Sequence, residues 1–358
     1  MKLADLTRRA GEWLRGCGPM EDVVISCRAR LARNLAGEPF LSRCSPQRRS
    51  EIEARLRREI TAAGVAATVL YVDLVSASGL DRRLLVERHL ISREHADSDH
   101  PRGVAISSDE TASIMVNEED HLRIQVFRSG LRLPEAAEQL SAIEEKLEDR
   151  LDFAFHSRYG YLTACPTNVG TALRVSVMLH LPALKMTGQL EKAIRAAKDM
   201  RLEVRGLYGE GSEALGDFFQ VSNQTTLGVD ERQIVEEFGG ELVPKFIEYE
   251  RAARSALLAK QASALEDKFQ RGLAILRSAR LMGSQEATYL LSLVRLGIAT
   301  GKIGGVDIKT VNEVFLLTQP AHLQKLLKKE LSGVSRAEAR ASYIRSRLAT
   351  GAEGPAHG

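Results

Sequence analysis

The chain has little that would tie it to a membrane, an oxidising compartment or a standard nucleotide loop. Only four cysteines, Cys17, Cys27, Cys44 and Cys165, occur in 358 residues. Their spacing matches no zinc pattern, and so few in so long a chain fit reduced thiols in a cytoplasm. No uncharged apolar run reaches the roughly 18 residues needed to cross a bilayer. The most apolar stretch, Val175 to Leu184, follows Arg174 and is interrupted by His180 and Pro182. Met1 to Asp5 lacks the apolar core of a signal peptide. There is no GxxxxGK(S/T) phosphate loop, and the glycines at 206, 209, 211 and 216 do not make a GxGxxG turn. A charge excess is missing as well: 50 Lys and Arg against 47 Asp and Glu leave +3. That excludes a polycation acting on nucleic acid through bulk charge. The expectation is a soluble cytoplasmic protein with neither a membrane nor nucleic acid as a direct partner.

What is present is an ordinary globular composition, 44% apolar and 27% charged, at a length that suggests two to three domains. The first two thirds mix strands and helices. Val23 to Cys27 is a β-branched run after Gly18-Pro19, and Gln47 to Ala63 reads as a charged helix. Val104 to Ser107, a polar turn and Ala112 to Val116 make a hairpin. Leu122, Ile124 and Val126 then alternate with Arg123, Gln125 and Phe127, as on a strand with one apolar face. Strands that follow one another without helices between them predict an antiparallel sheet flanked by helices in an α+β domain.

The pattern changes near residue 252. Leu265, Phe269, Leu273 and Leu276 recur at helical spacing, Gly283-Ser284 offers a stop and a new cap, Asp307 caps a further helix, and Ser335 with Glu338 reads as a capping box. The expected organisation is an N-terminal extension over 1–22, a catalytic domain over 23–252, an all-helical C-terminal domain over 253–350 and a frayed tail over 351–358. Seven Lys or Arg against two Glu between Ala321 and Thr350 give that helical end a basic face.

The chemistry-bearing residues are arginines in strand-like contexts and clustered acids. Arg28 and Arg30 are two apart, so on a strand both project from one face and can grip one anion; Arg33 lies just beyond. Arg123 sits on the polar side of its strand, Arg174 follows the small-residue run Cys165 to Ala172, and Arg205 precedes a glycine-rich stretch. Glu118, Glu119 and Asp120 are adjacent, where mutual repulsion opposes full ionisation unless cations are near. Glu210 lies between Gly209 and Gly211. Acids for a cationic substrate beside arginines for phosphate describe a site for phosphoryl transfer to a basic group.

These segments resemble the ATP:guanido phosphotransferases, the phosphagen kinase superfamily. Asn117-Glu118-Glu119-Asp120-His121-Leu122-Arg123 matches its NEEDHLR segment in full. Cys165 to Arg174 is similar to its CPTNxGTGLR segment, with Ala172 in place of one glycine. Arg205 to Ala214 and Ser176 to Pro182 are more similar to the bacterial protein-arginine kinases, as is the presence of appended C-terminal helices. The N-terminal helical domain of the small-molecule enzymes has no room before Val23.

The resemblance implies a phosphagen kinase/glutamine synthetase-like catalytic fold, Mg-ATP with Mg2+ held chiefly by the phosphates and no protein metal site, and a homodimer. The ATP-contacting residues would be Ser26, Cys27, Arg28, Ala29 and Arg30; His89; Arg123; Arg174, Val175, Ser176, Val177 and Met178; and Arg205, Gly206, Leu207, Tyr208, Gly209 and Glu210. Glu119 would be the catalytic carboxylate, Glu118 and Glu210 would help hold the substrate guanidinium, and Cys165 would lie beside it. The implied activity is phosphorylation of arginine side chains exposed on proteins. It would mark them for a Clp protease or inactivate a stress repressor, with an activator protein and a Clp ATPase as further partners. The alternatives are a small-molecule guanidino kinase and a non-catalytic phosphoarginine-binding adaptor. The family's phosphoarginine-sensing RDxxRA segment aligns with Arg336 to Ala341, where Ala337 replaces the acid. Arg336 and Arg340 share a helix face, but sensing is expected to be weakened or absent.

Overall fold

The computed structural model describes residues 3–8, 10–207 and 215–349, and the structural statements below concern those residues. The expected tail at 351–358 and three of the expected site residues, Tyr208, Gly209 and Glu210, lie outside them.

Two short 3-10 segments, Leu3–Arg8 and Glu12–Leu14, lead into β1 (Val24–Arg33). Then come α1 (Pro46–Ala62), β2 (Val69–Asp73), α2 (Gly79–Glu87), α3 (Arg93–Asp97), β3 (Gly103–Ser107), β4 (Ala112–Val116), β5 (Leu122–Ser129) and α4 (Leu133–Glu148). A small hairpin of β6 (Phe155–His156) and β7 (Gly160–Tyr161) precedes β8 (Leu173–His180), α5 (Pro182–Met186), α6 (Leu190–Asp199), β9 (Leu202–Gly206), β10 (Phe218–Asn223) and α7 (Glu231–Glu237). The rest is helical: α8 (Val243–Ser278), α9 (Ser284–Ala299), α10 (Ile308–Leu317), α11 (Pro320–Leu327) and α12 (Gly333–Ala349).

Eight strands form one sheet in the order β2-β3-β4-β5-β1-β8-β10-β9. Every neighbouring pair in it is antiparallel, as the sequence predicts. One face carries Ala29, Leu31, Ile124, Val126, Val175 and Val177, all buried, against Ile52, Leu56 and Ile60 of α1 and Leu140, Ile143 and Leu147 of α4. Those helical residues recur every three or four positions, so each helix turns a single stripe to the sheet. Burying each such side chain stabilises the fold by about 1.5–3 kcal/mol.

Capping follows local chemistry. The side chains of Ser45, Ser78 and Ser92 accept the third amide of α1, α2 and α3, and Asp307 accepts Thr310 N at 2.7 Å as expected. Two C-terminal expectations are corrected. Gly283, rather than Ser284, holds the cap position of α9, with extended backbone and no side-chain bond. The proposed box of Ser335 and Glu338 falls inside α12, which starts at Gly333 because Arg336 N already bonds back to Ser332 O at 2.8 Å.

The C-terminal helices pack on the second face of the same sheet. Phe127, Met178 and Phe218 from the sheet join Leu265, Phe269, Leu290, Val314 and Phe315 in one cluster, and Trp13 and Leu14 from the N-terminal segment enter it too. The change of pattern near 252 falls within α8, a 36-residue span made of two helical pieces that meet at a kink at Gln261 (φ −143°, ψ 37°).

Candidate functional site

Register places the arginines. Arg30 lies opposite Gln125 of β5 and Arg174 of β8, and Arg28 lies opposite Phe127 and Ser176. Arg123 lies opposite Ala32 of β1 and Met115 of β4, while Gln220 of β10 stands between Met178 and Arg205. Directly opposed residues share a face, so five arginines from four strands meet on the second face, beyond the apolar patch of Phe127, Met178 and Phe218.

The same alternation corrects part of the expected ATP-contacting set. Cys27, Ala29, Val175 and Val177 point to the opposite face and are buried in the helix-covered core, so only their backbone is available to a ligand. Arg33 is three residues from Arg30 and also turns away. Its guanidinium pairs with Glu144 and lies 3.4 Å from the centre of the Tyr161 ring.

Arg28 and Arg30 have no carboxylate partner among the described residues. Arg28 Nε donates to Ser176 Oγ at 3.3 Å. Burial, then repulsion from Arg123, Arg174 and Arg205, pushes the Arg28 guanidinium down to about 10; burial and the neighbouring arginines push Arg30 well below its usual value. Such a cluster is costly until an anion neutralises it. Arg174 and Arg205 are held by one carboxylate, Glu203, at 3.0 and 2.6 Å. A cleft of about 250 Å³ opens between this face and the α2–α3 connection, lined by Arg28, Arg30, Arg205, His89, Ser92 and Gln220. Leu207 is buried at its edge. His89 holds a left-handed backbone (φ 57°) with its ring edge-on to Trp13 at 4.3 Å. Burial, then Arg28 and Arg93, pushes its imidazole down to about 3, so it is neutral at physiological pH.

The acids are divided by their bonds. Glu118 would be raised by burial, but Arg123, the Ser92 hydroxyl and the Glu119 amide outweigh that and hold it below the usual carboxyl value. One of its oxygens takes Arg123 and Ser92 Oγ, the latter at 2.7 Å, and the other takes Glu119 N at 2.7 Å. Both Glu118 oxygens are therefore engaged within the protein. Glu119 is exposed and makes no ion pair among the described residues. Burial and the neighbouring Asp120 raise its pKa, with Arg123 opposing. Asp120 turns inward, accepting Asn34 Nδ2 at 2.6 Å and Ala164 N at 2.7 Å. The bond from Ala164 N ties the loop that carries Cys165 to the acidic segment; Cys165 Sγ itself lies 3.0 Å from Thr167 Oγ1.

Two glycine-type positions shape this loop. Gly170 has φ 115°, and a Cβ there would meet Thr226 O at 2.2 Å. Ala172, where the resembling families carry glycine, keeps the positive φ that glycine favours (53°) and is strained by about 1–2 kcal/mol. In α12, Arg340 is buried and donates to Thr318 O at 2.9 Å and Met282 O at 3.0 Å. It ties helices together, and Arg336 alone of the expected pair is left toward solvent.

Sequence reasoning missed Ser92 and Glu203, which set the charge of this site. Ser92 acts through Glu118, 26 residues away, and Glu203 joins Arg205, two residues away, to Arg174, 29 residues away. Ser92 was detectable as a helix cap, but not as a ligand of Glu118.

Comparison with known proteins adds family context. Residues 51–253 match the ATP:guanido phosphotransferase C-terminal catalytic domain, and residues 262–357 match the protein-arginine kinase McsB C-terminal domain. The chain is 46% identical over 351 residues to a protein-arginine kinase of Symbiobacterium thermophilum, covering 96% of this chain and 98% of that protein. It is 43% identical to one of Halothermothrix orenii, covering 97% and 99%. Among solved structures it is similar to a lombricine kinase, with 27% identity, TM-score 0.56 and coverage of 71% of this chain and 72% of that one. It is also similar to the duplicated taurocyamine kinase of Schistosoma mansoni with bound transition state analog components. There the identity is 29%, the TM-score 0.58 and the coverage 70% of this chain and 36% of that one.

Proposed function

The chain belongs to the ATP:guanido phosphotransferases and, within them, to the protein-arginine kinases; from that footing we propose that the arginine face holds ATP and Glu119 drives transfer of its γ-phosphoryl group to an arginine side chain of a protein. The observation that carries this reading is Arg28 and Arg30: two half-buried guanidinium groups without an ion pair among the described residues, beside an exposed carboxylate with a raised pKa.

The physical logic is direct. A substrate guanidinium is protonated at neutral pH, with a pKa above about 12, and its nitrogen cannot attack phosphorus until a proton leaves. Glu119 orients the group and takes that proton; the new N–P bond forms as the bond to the β-phosphate oxygen breaks, and ADP departs. Charge-assisted bonds from Arg28, Arg30, Arg123, Arg174 and Arg205 to the phosphates contribute about 1.5–3 kcal/mol each. Mg2+ held by the phosphates would share their charge. Glu118 holds Arg123 in place. By family likeness Glu210 would help hold the guanidinium, and Cys165 would lie beside that group. In this reading residues 23–252 form the catalytic half and 253–350 the helical half, the active unit is a homodimer, and the modified proteins are substrates for a Clp protease.

Incubation of the full chain with ATP and an arginine-containing protein, followed by peptide mass spectrometry without acid, tests the reading. Phosphate on arginine that disappears on acid treatment is the expected result. Phosphorylation of free arginine in preference to protein, or ATP binding without transfer, would overturn it.

A further inference from the structure

Three consecutive residues leaving α2 face three different surroundings. The Glu87 carboxylate accepts Ala321 N at 2.8 Å and His322 N at 3.0 Å, the first amides of α11 in the C-terminal helices, and faces His322 Nδ1 at 2.8 Å. Arg88 is buried; it donates to both oxygens of Glu110 at 2.6 and 2.7 Å, and its third nitrogen stands 3.0 Å from His322 Nε2. His89 then enters the cleft wall in its left-handed conformation, with its carbonyl accepting Gln125 Nε2 at 2.9 Å. Gly11 closes the cover: a Cβ there would lie 3.2 Å from Glu110 and 3.3 Å from Arg88.

The partners of His322 fix its tautomer. An arginine offers only donors, so Nε2 presents its lone pair to Arg88, and Nδ1 carries the proton that it donates to Glu87. The ring is fully buried and neutral, a rigid spacer with one acceptor and one donor at set positions. It joins α11 to the residue that precedes His89.

We propose that His322 is a positioning residue for the nucleotide: through Arg88 it fixes the backbone of His89 at the wall of the arginine cleft, so that the C-terminal helices set the affinity for ATP. This rests on the reading of that cleft as the ATP site. A tie that served stability alone would move all kinetic constants together through the folded fraction; a positioning role moves the ATP terms selectively.

The test uses the full chain, with ATP binding measured by calorimetry and steady-state kinetics measured for both substrates. His322→Ala is expected to raise Kd and KM for ATP about tenfold, the loss of one buried charge-assisted bond. At saturating ATP, kcat and the KM for the protein substrate should stay within about twofold of the parent. Glu87→Gln keeps an acceptor oxygen for one of the two α11 amides and weakens the hold on Nδ1 by removing the charge, and should give the same split at smaller size. An unchanged ATP Kd in folded Glu87→Gln, or a parallel loss of kcat and both KM values in either variant, would overturn the proposal. Arg30→Ala separates the two levels: if it leaves ATP binding intact, the cleft is not the nucleotide site, and the underlying reading fails instead.

Discussion

One face of the central sheet does two opposite things at its two ends. Near Phe127, Met178 and Phe218 it is dry and covered by the C-terminal helices. A few residues along the same strands it gathers five arginines, two of them without a carboxylate partner among the described residues. The apolar end lowers the free energy of the fold, whereas the arginine end raises it until an anion arrives. The contrast shows how a chain of net charge +3 concentrates positive charge locally: β1 places Arg28 and Arg30 at the centre, with neighbouring strands adding the rest.

The comparison can be attacked from either end. Phe218→Ala strikes the dry end, where the ring packs 5.1 Å from that of Phe315; it should cost about 3–5 kcal/mol in urea unfolding while leaving ATP affinity of the folded protein near normal. Glu119→Ala strikes the chemistry and should lower kcat by ~10²-fold or more with little change in stability. In the parent enzyme Glu119 must be ionised to accept the proton, and its pKa is raised by burial and Asp120. Activity should therefore fall, as pH drops, through a limb above the ordinary carboxyl range; a pH–rate profile lacking that limb would contradict the assignment. Arg30→Met joins the two ends. It should weaken ATP binding by about tenfold or more yet raise the unfolding midpoint without nucleotide, since it removes a half-buried charge that has no ion pair among the described residues. A midpoint that falls instead would show that Arg30 is already satisfied. The smallest effect is expected at Ala172→Gly, which relieves the positive φ and should stabilise the protein by about 1 kcal/mol, read as a small rise in Tm.

Much of the arginine end was legible in the sequence because its spacing is local. Residues two apart on a strand share a face, which assigns Arg28 and Arg30 together and also explains why Arg33 departs. The acidic segment was legible as a motif but not in its division of labour. Glu118, Glu119 and Asp120 look alike in the chain, yet Asn34, Ala164, Ser92 and Arg123 give each a different surrounding. Those partners arrive from elsewhere in the chain. The helical end was legible as helices, through Leu265, Phe269, Leu273 and Leu276, but not as the cover of the sheet. Periodicity reports that a stripe is buried, not what it is buried against.

Helix α8 gives the molecule a mechanical character. It runs from beneath the sheet, at Phe246 and Ile247, to the C-terminal cluster at Phe269 and Leu276, and kinks at Gln261 on the way. The two halves therefore share a jointed rod: the helical pieces on either side of Gln261 are each straight, and a change of angle between them is absorbed at that residue. A nick by a protease at that joint would cut the covalent link, while Phe127, Met178 and Phe218 would still hold the C-terminal helices on the sheet.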